Sequence, residues 1–181
     1  MTPAATGERV YLRPFVEADA TDRYLAWFRD PDVTRYLEAR NITRADAIQH
    51  LRDGMNGERW ALYAICLRDG DRHVGNLKIG PINRRHGLSD MVTVIGDRDA
   101  WGKGIAREAI GLGIRLAFET HGIRKLSASM YAGNLGSIRA YLHAGFVEEA
   151  RLPAQFLLDG MPEDKVFVGC FNPSPATPGK P

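Results

Sequence analysis

Cysteine is scarce in this sequence, with two residues among 181, Cys66 and Cys170. Both lie inside runs that read as strands, with no CxxC spacing and no histidine cluster nearby, which excludes a disulfide scaffold and points to reduced, buried thiols. The five histidines are scattered without ligand spacing, so no metal site is expected. No apolar stretch approaches the roughly 18 residues that span a bilayer, and the opening residues lack the basic start and apolar run of a secretion signal. A cytoplasmic protein without a membrane partner is the expectation. Charge of one sign is missing too. The formal charge of +2 arises from 24 basic and 22 acidic residues mixed along the chain, unlike the one-sided basic field of a nucleic-acid binder. The short cluster Arg84-Arg85-His86 reads as a solvated loop.

The chain length fits a single domain with one active site. Arg9 to Arg13 alternates and meets Pro14, as a strand ending at a proline would. Asp19 is placed to cap a helix carrying Tyr24, Leu25, Trp27 and Phe28, and Thr43 precedes a second helix with Ala47, Ile48 and Leu51 on one face. Asp30 to Asn41 between them reads as a loop. Trp60 to Leu67 and His73 to Ile79 form a hairpin around Asp69-Gly70, followed by a loop from Pro81 to Asp90. The strand Met91 to Ile95 leads into a helix in which Ala106, Ile110, Gly113, Ile114 and Ala117 recur at helical spacing up to Gly122. A strand from Lys125 to Tyr131 precedes a helix from Asn134 to Ala144, stopped by Gly145. Strands around Phe146 to Glu149 with Gln155 to Leu158, and from Lys165 to Phe171, flank the Asp159-Gly160 turn. Residues 1–171 thus form the domain. The last ten residues hold four prolines and no apolar periodicity, and read as a disordered tail.

The turn between Met91–Ile95 and the following helix carries the first chemical signal. A helix N-terminus offers unpaired backbone N–H groups and a favourable dipole to an anion. Gly102 and Gly104 let the backbone approach such a ligand, and Lys103 adds a positive charge. Taken alone the signal is weak to moderate, because glycines in a minority of such turns serve only a tight strand-to-helix connection. No GxxxxGK[ST] is present, and Arg107 occupies the third glycine position of G-x-G-x-x-G, which demotes ATP and NAD. The second signal is Asn134, Ser137 and Tyr141, spaced to share one helix face. By spacing alone, Asn134 and Ser137 capping the helix, with Tyr141 in the core, is the favoured explanation of that stripe.

Trp101-Gly102-Lys103-Gly104-Ile105-Ala106-Arg107 resembles the acetyl-CoA pyrophosphate loop of the GNAT superfamily of N-acetyltransferases, in which Gln or Arg usually stands where this chain has Trp101. That departure resembles the branch containing ribosomal-protein N-terminal and nucleotide-linked amino-sugar acetyltransferases. Asn134-x-x-Ser137, Tyr141 and Gly145-Phe146 resemble the second signature of the same superfamily. The resemblance covers about Arg9 to Phe171. It implies a single α/β (α+β) domain with a central mixed, mostly antiparallel twisted sheet flanked by about four helices. It implies acetyl-CoA as acetyl donor and direct attack by a primary amine in a ternary complex, without a covalent Ser or Cys nucleophile. Asn134 and Ser137 would lie along the pantetheine arm, and Tyr141 would protonate the leaving thiolate, a role that suits a phenol. Val94 and Ile95, on a strand that would splay from Lys125–Tyr131, would hold the pantetheine through backbone groups. Asp90, His86 and Glu148 are the candidates for the general base, and no motif separates them. The run Gly75 to Asn83 resembles the amino-sugar enzymes more than the ribosomal-protein enzymes, favouring a small-molecule amine over a protein N-terminus as acceptor. A non-catalytic acyl-CoA-binding module is the alternative of a different class, and Tyr141 argues against it. The resemblance admits a homodimer and leaves the oligomeric state open.

Overall fold

In the computed structural model, residues 2–54 and 59–173 are described. Among them the strands form one eight-stranded sheet, ordered β1-β2-β3-β4-β5-β6-β8-β7. The strands are β1 (Ala5–Thr6), β2 (Val10–Pro14), β3 (Ala61–Leu67), β4 (His73–Asn83), β5 (Leu88–Ile95), β6 (Lys125–Tyr131), β7 (Val147–Leu158) and β8 (Met161–Phe171). Five α-helices accompany them: α1 (Asp22–Trp27), α2 (Pro31–Thr34), α3 (Arg44–Gly54), α4 (Ile105–Arg115) and α5 (Leu135–His143). Every neighbouring pair of strands is antiparallel except β5 and β6.

Alternation along the strands explains why both faces of the N-terminal half of the sheet are covered. In β3, Tyr63 and Ile65 enter a large core, together with Leu77, Met91, Ile110, Leu126 and Val168. The intervening Ala64 and Cys66 enter a second core with Phe15, Tyr24, Leu25 and Trp27. Helix α4 sits on the first face, where Ala109, Ile110, Leu112 and Gly113 are buried. The N-terminal helices sit on the second. Cys66 and Cys170 are both free and buried.

Several local expectations are corrected. Thr21, not Asp19, caps α1, its side chain accepting the Tyr24 N–H. The Asp19 carboxylate instead receives Arg13, an ion pair that sequence spacing does not advertise. The supposed loop from Asp30 contains α2, started by an Asp30 cap and Pro31. This short turn adds a fifth helix to the four anticipated. The supposed loop from Pro81 to Asp90 is mostly strand, because β4 and β5 continue past a β-bulge between Ile79 and Ile82 into a turn over 84–87. Strand β7 runs unbroken where two pieces were expected, absorbing the interruption in register shifts, with Ala154 at φ 53°. The expected disordered tail lies outside the described residues, apart from Asn172 and Pro173; the Asn172 N–H donates to the Arg124 carbonyl.

The parallel junction positions the site. Strands β5 and β6 are in register only at Leu88↔Lys125, Ser89↔Leu126 and Asp90↔Ser127. Beyond Asp90 the pairing stops, and the remaining residues of β5 and β6 face an opening between two strands.

Candidate active site

Each strand residue turns its N–H and C=O to one side, and consecutive residues turn to opposite sides. The Gly96 N–H donates to the Val74 carbonyl at 3.0 Å, and the Val94 carbonyl lies against Gly75, so the even-numbered residues of β5 address β4. Met91, Thr93 and Ile95 therefore address the opening. Val94, expected to reach a ligand through its backbone, faces β4 instead, whereas Ile95 does point inward. The Met91 carbonyl accepts the Tyr141 hydroxyl at 3.0 Å, with Thr93 Oγ1 at 3.3 Å from the same hydroxyl. The Ile95 carbonyl accepts Trp101 Nε1 at 2.7 Å.

At the wide end of the opening, the chain turns into α4. Asp97, buried, caps the short 3-10 turn Arg98–Ala100 and pairs with Arg23 and, at 3.5 Å, Arg72. Residues 101–104 are all exposed. Gly102 and Gly104 have φ of 71° and 75°, left-handed values that L side chains adopt only at a cost. Gly104 is the N-cap of α4 and supplies no side-chain acceptor, so the first N–H groups of the helix are left for a ligand or solvent. Around Gly102, a Cβ would meet nothing within 4 Å, so it is the backbone conformation that calls for glycine. Ile105 is buried and anchors the turn, while Ala106 is half-buried and Arg107 exposed. These exposed backbone groups, with Lys103 beside them, are the ones that could hold an anion such as a pyrophosphate.

The other wall comes from α5. Asn134 is its N-cap, with Oδ1 accepting the Ser137 N–H at 3.2 Å, and Ser137 is half-buried one turn before Tyr141. Tyr141 is buried, which pushes its hydroxyl up to about 12, with Thr93 pulling slightly the other way.

The three base candidates part company. Asp90 stands at the vertex where β5 and β6 separate. The desolvation its carboxyl does suffer raises its pKa above the ordinary range, and the ammonium groups of Lys78 and Lys165 pull partly back. His86 belongs to the turn before β5, beyond the closed end of the junction, where its N–H donates to Asn83 and its carbonyl accepts Arg124. Glu148 lies on β7, three strands from β5, and pairs with Arg151 at 3.4 Å. The sequence singled out neither Thr93 nor Lys78 nor Lys165. Thr93 could have been found from strand alternation; the lysines converge only through strand order. Among the described residues no cluster of His, Cys, Asp and Glu could hold a metal, and no helix is long and apolar enough to cross a membrane.

A mixed sheet parted at its one parallel junction, with a glycine turn at the open end, is the architecture of the GNAT acetyltransferases. It superposes on the ribosomal-protein-S5-alanine acetyltransferase of Vibrio fischeri with a TM-score of 0.82, at 17% identity over 95% of this chain and 98% of that one. A spermidine N-acetyltransferase from Vibrio cholerae, solved with CoA and spermine, gives a TM-score of 0.80 at 17% identity, covering 90% of this chain and 95% of the other. The chain belongs to the acetyltransferase (GNAT) domain family, whose sequence model matches residues 9–147. Among its relatives, the probable N-acetyltransferase YjcK of Bacillus subtilis (strain 168) is 24% identical, covering 92% of this chain and 96% of its own. The uncharacterized N-acetyltransferase p20 of Bacillus licheniformis is 26% identical, covering 80% and 83%. The protein is thus an N-acetyltransferase, and its family implies acetyl-CoA as the donor.

Proposed function

We propose that this enzyme acetylates a primary amine of a small molecule by direct attack within a ternary complex, with Tyr141 as general acid and Asp90 as general base. The observation that carries the reading is the Tyr141 hydroxyl, held at the edge of β5 where the strands part. Acetyl-CoA, when bound, supplies the activated acetyl thioester. The turn 101–107 holds its pyrophosphate through backbone N–H groups. The inward-facing groups of Thr93 and Ile95, with Asn134 and Ser137 opposite, line the path of its pantetheine arm.

Asp90, as carboxylate, takes a proton from the incoming ammonium and so exposes the nitrogen lone pair. The nitrogen bonds to the acetyl carbon, the carbon–sulfur bond breaks as Tyr141 passes its proton to the departing sulfur, and the nitrogen's second proton, like the one Asp90 took, leaves to solvent so that a neutral amide results. Solvent then reprotonates the phenolate. Because burial holds Tyr141 near 12, the phenol is protonated at neutral pH and available to donate. Asp90 is preferred to His86 and Glu148 because it alone adjoins the opening.

A nucleotide-linked amino sugar is the favoured acceptor type on the likeness of Gly75 to Asn83; a protein N-terminus is the second reading, supported by the fold shared with the ribosomal-protein enzyme. Calorimetric titration with acetyl-CoA is the first test. Wild type is expected to bind, Gly104→Glu to lose binding, and Tyr141→Phe to bind normally while turnover falls about 100-fold or more. A wild-type protein that stays folded and binds no acetyl-CoA overturns the reading. Among acceptors, acetylation of peptides alone would favour the protein N-terminus.

A further inference from the structure

The face of the sheet opposite α4 carries three charged side chains around the opening, and strand register places them together. Asp90 and Val92 share a face of β5, and Lys78 lies directly across from Val92 on β4. On the other side of the junction, Asp90 is in register with Ser127, whose face continues through Ser129 to Tyr131, and Tyr131 is in register with Lys165 on β8. Val92, 45% exposed, forms open floor between the two lysines.

Apart from one another, these three charges meet no protein partner in a salt bridge among the described residues. The acids preceding Lys165 are engaged elsewhere: Glu163 accepts the Gly133 N–H and Asp164 the Ala154 N–H. Aromatic rings instead hold the two ammonium groups. Lys78 Nζ lies 5.6 Å from the Trp60 ring centroid, and Lys165 Nζ lies 4.7 Å from both Phe156 and Phe167. Two restrained cations thus flank one acid at the vertex of the opening. An ammonium entering beside Asp90 neutralises that acid and leaves both lysines uncompensated. A polyamine would add further cations to them. An acceptor that brings its own anion balances the site.

Resting on the acetyltransferase reading above, we propose that the acceptor is an amine bearing an anionic group, carboxylate or phosphate, with Asp90 facing the nitrogen and Lys78 and Lys165 holding the anion. The test is kcat/KM over matched pairs: amino acids against their carboxamides, phosphoethanolamine against ethanolamine, a nucleotide-linked amino sugar against the free amino sugar, and spermidine alone. At least one anionic member is expected to exceed its neutral partner tenfold or more, and the pair that responds separates carboxylate from phosphate. Lys78→Met and Lys165→Met are each expected to bring that ratio toward one, and Lys78→Arg and Lys165→Arg to preserve it. A ratio is insensitive to the fraction of variant that folds. Preference for spermidine or for neutral partners, or a ratio unchanged in both Met variants, overturns the proposal. Acetyl-CoA binding without turnover of any anionic amine also overturns it and leaves the donor site standing, whereas no acetyl-CoA binding removes the reading beneath it.

Discussion

Asp19 carries a structural load that its position in the sequence conceals. Its carboxylate receives two guanidinium N–H groups of Arg13 at 2.7 Å and the Val16 N–H at 2.8 Å. Both side chains are nearly buried, at 14% and 10% exposure. Burial alone would raise the pKa of Asp19, but the Arg13 pair and the Val16 N–H outweigh it and hold the carboxyl below its ordinary range. A folded pKa below the unfolded one stabilises the fold above the unfolded value, about 4, and that contribution disappears as pH falls through the folded value. Asp19→Ala, which strands the guanidinium, is expected to lower unfolding free energy by about 3–5 kcal/mol at pH 7, read by urea titration. Asp19→Asn is expected to be less stable than wild type at pH 7 and to lose less stability between about pH 4 and pH 2. Parallel acid profiles for the two proteins would assign the acid sensitivity to other carboxylates.

Tyr141 poses a different residue-scale question, since its hydroxyl is satisfied by the protein as well as placed for chemistry. Loss of the hydroxyl in Tyr141→Phe leaves the Met91 carbonyl without that donor, a penalty of about 1–3 kcal/mol if water does not replace it. Turnover per folded molecule, measured at a temperature where both proteins are fully folded, separates the lost proton donor from the lost stability.

Helix α4 and the sheet beneath it meet at Gly113. A Cβ there would come within 2.6 Å of Leu77 Cδ1 and 3.0 Å of Met91 Cε. The close approach fixes the height of α4 above β4 and β5 and, with it, the turn at residues 101–104. Gly113→Val is expected to cost about 1–3 kcal/mol through overpacking and to raise KM for acetyl-CoA by displacing that turn. A destabilised variant with unchanged KM would show that the turn keeps its place independently of the helix. Elements of this kind were legible in the sequence: the apolar spacing of α4, the capping of α5 by Asn134, and the bounds of β6 at Lys125–Tyr131 follow from local rules. Elements decided by tertiary contacts were not. Strand β1 is two residues paired to β2, α2 is a single turn, and β7 continues on both sides of the left-handed Ala154 because β8 pairs with it before and after the irregularity. No periodicity within these segments distinguishes them from loops.

At the scale of the molecule, the sheet is two halves joined by three registered residue pairs between β5 and β6, with the opening beyond them. The glycine turn at residues 101–104 and Tyr141, on which the proposed donor site rests, were readable because each motif is contiguous. The juxtaposition of Lys78, Asp90 and Lys165 was not, because it depends on β5 pairing with β6 in parallel and on β8 entering between β6 and β7. A ligand lying in the opening would join the halves and stabilise the whole chain, since binding to the folded state alone contributes RT ln(1 + [L]/Kd). At about 100 times Kd this is about 2.7 kcal/mol, which in a domain of this size raises Tm by roughly 5–11 °C. The amides of Thr93 and Ile95 on β5 and of Ser129 and Tyr131 on β6 border the opening, since the even-numbered residues of β6 bond to β8, so acetyl-CoA is expected to slow their hydrogen exchange more than that of β2 or β3. Gly104→Glu should remove both the Tm shift and the added protection. Uniform slowing across the sheet would show that the ligand only suppresses global unfolding. Protection concentrated at the parted strands would place it between them, where the phenol of Tyr141 can reach its sulfur.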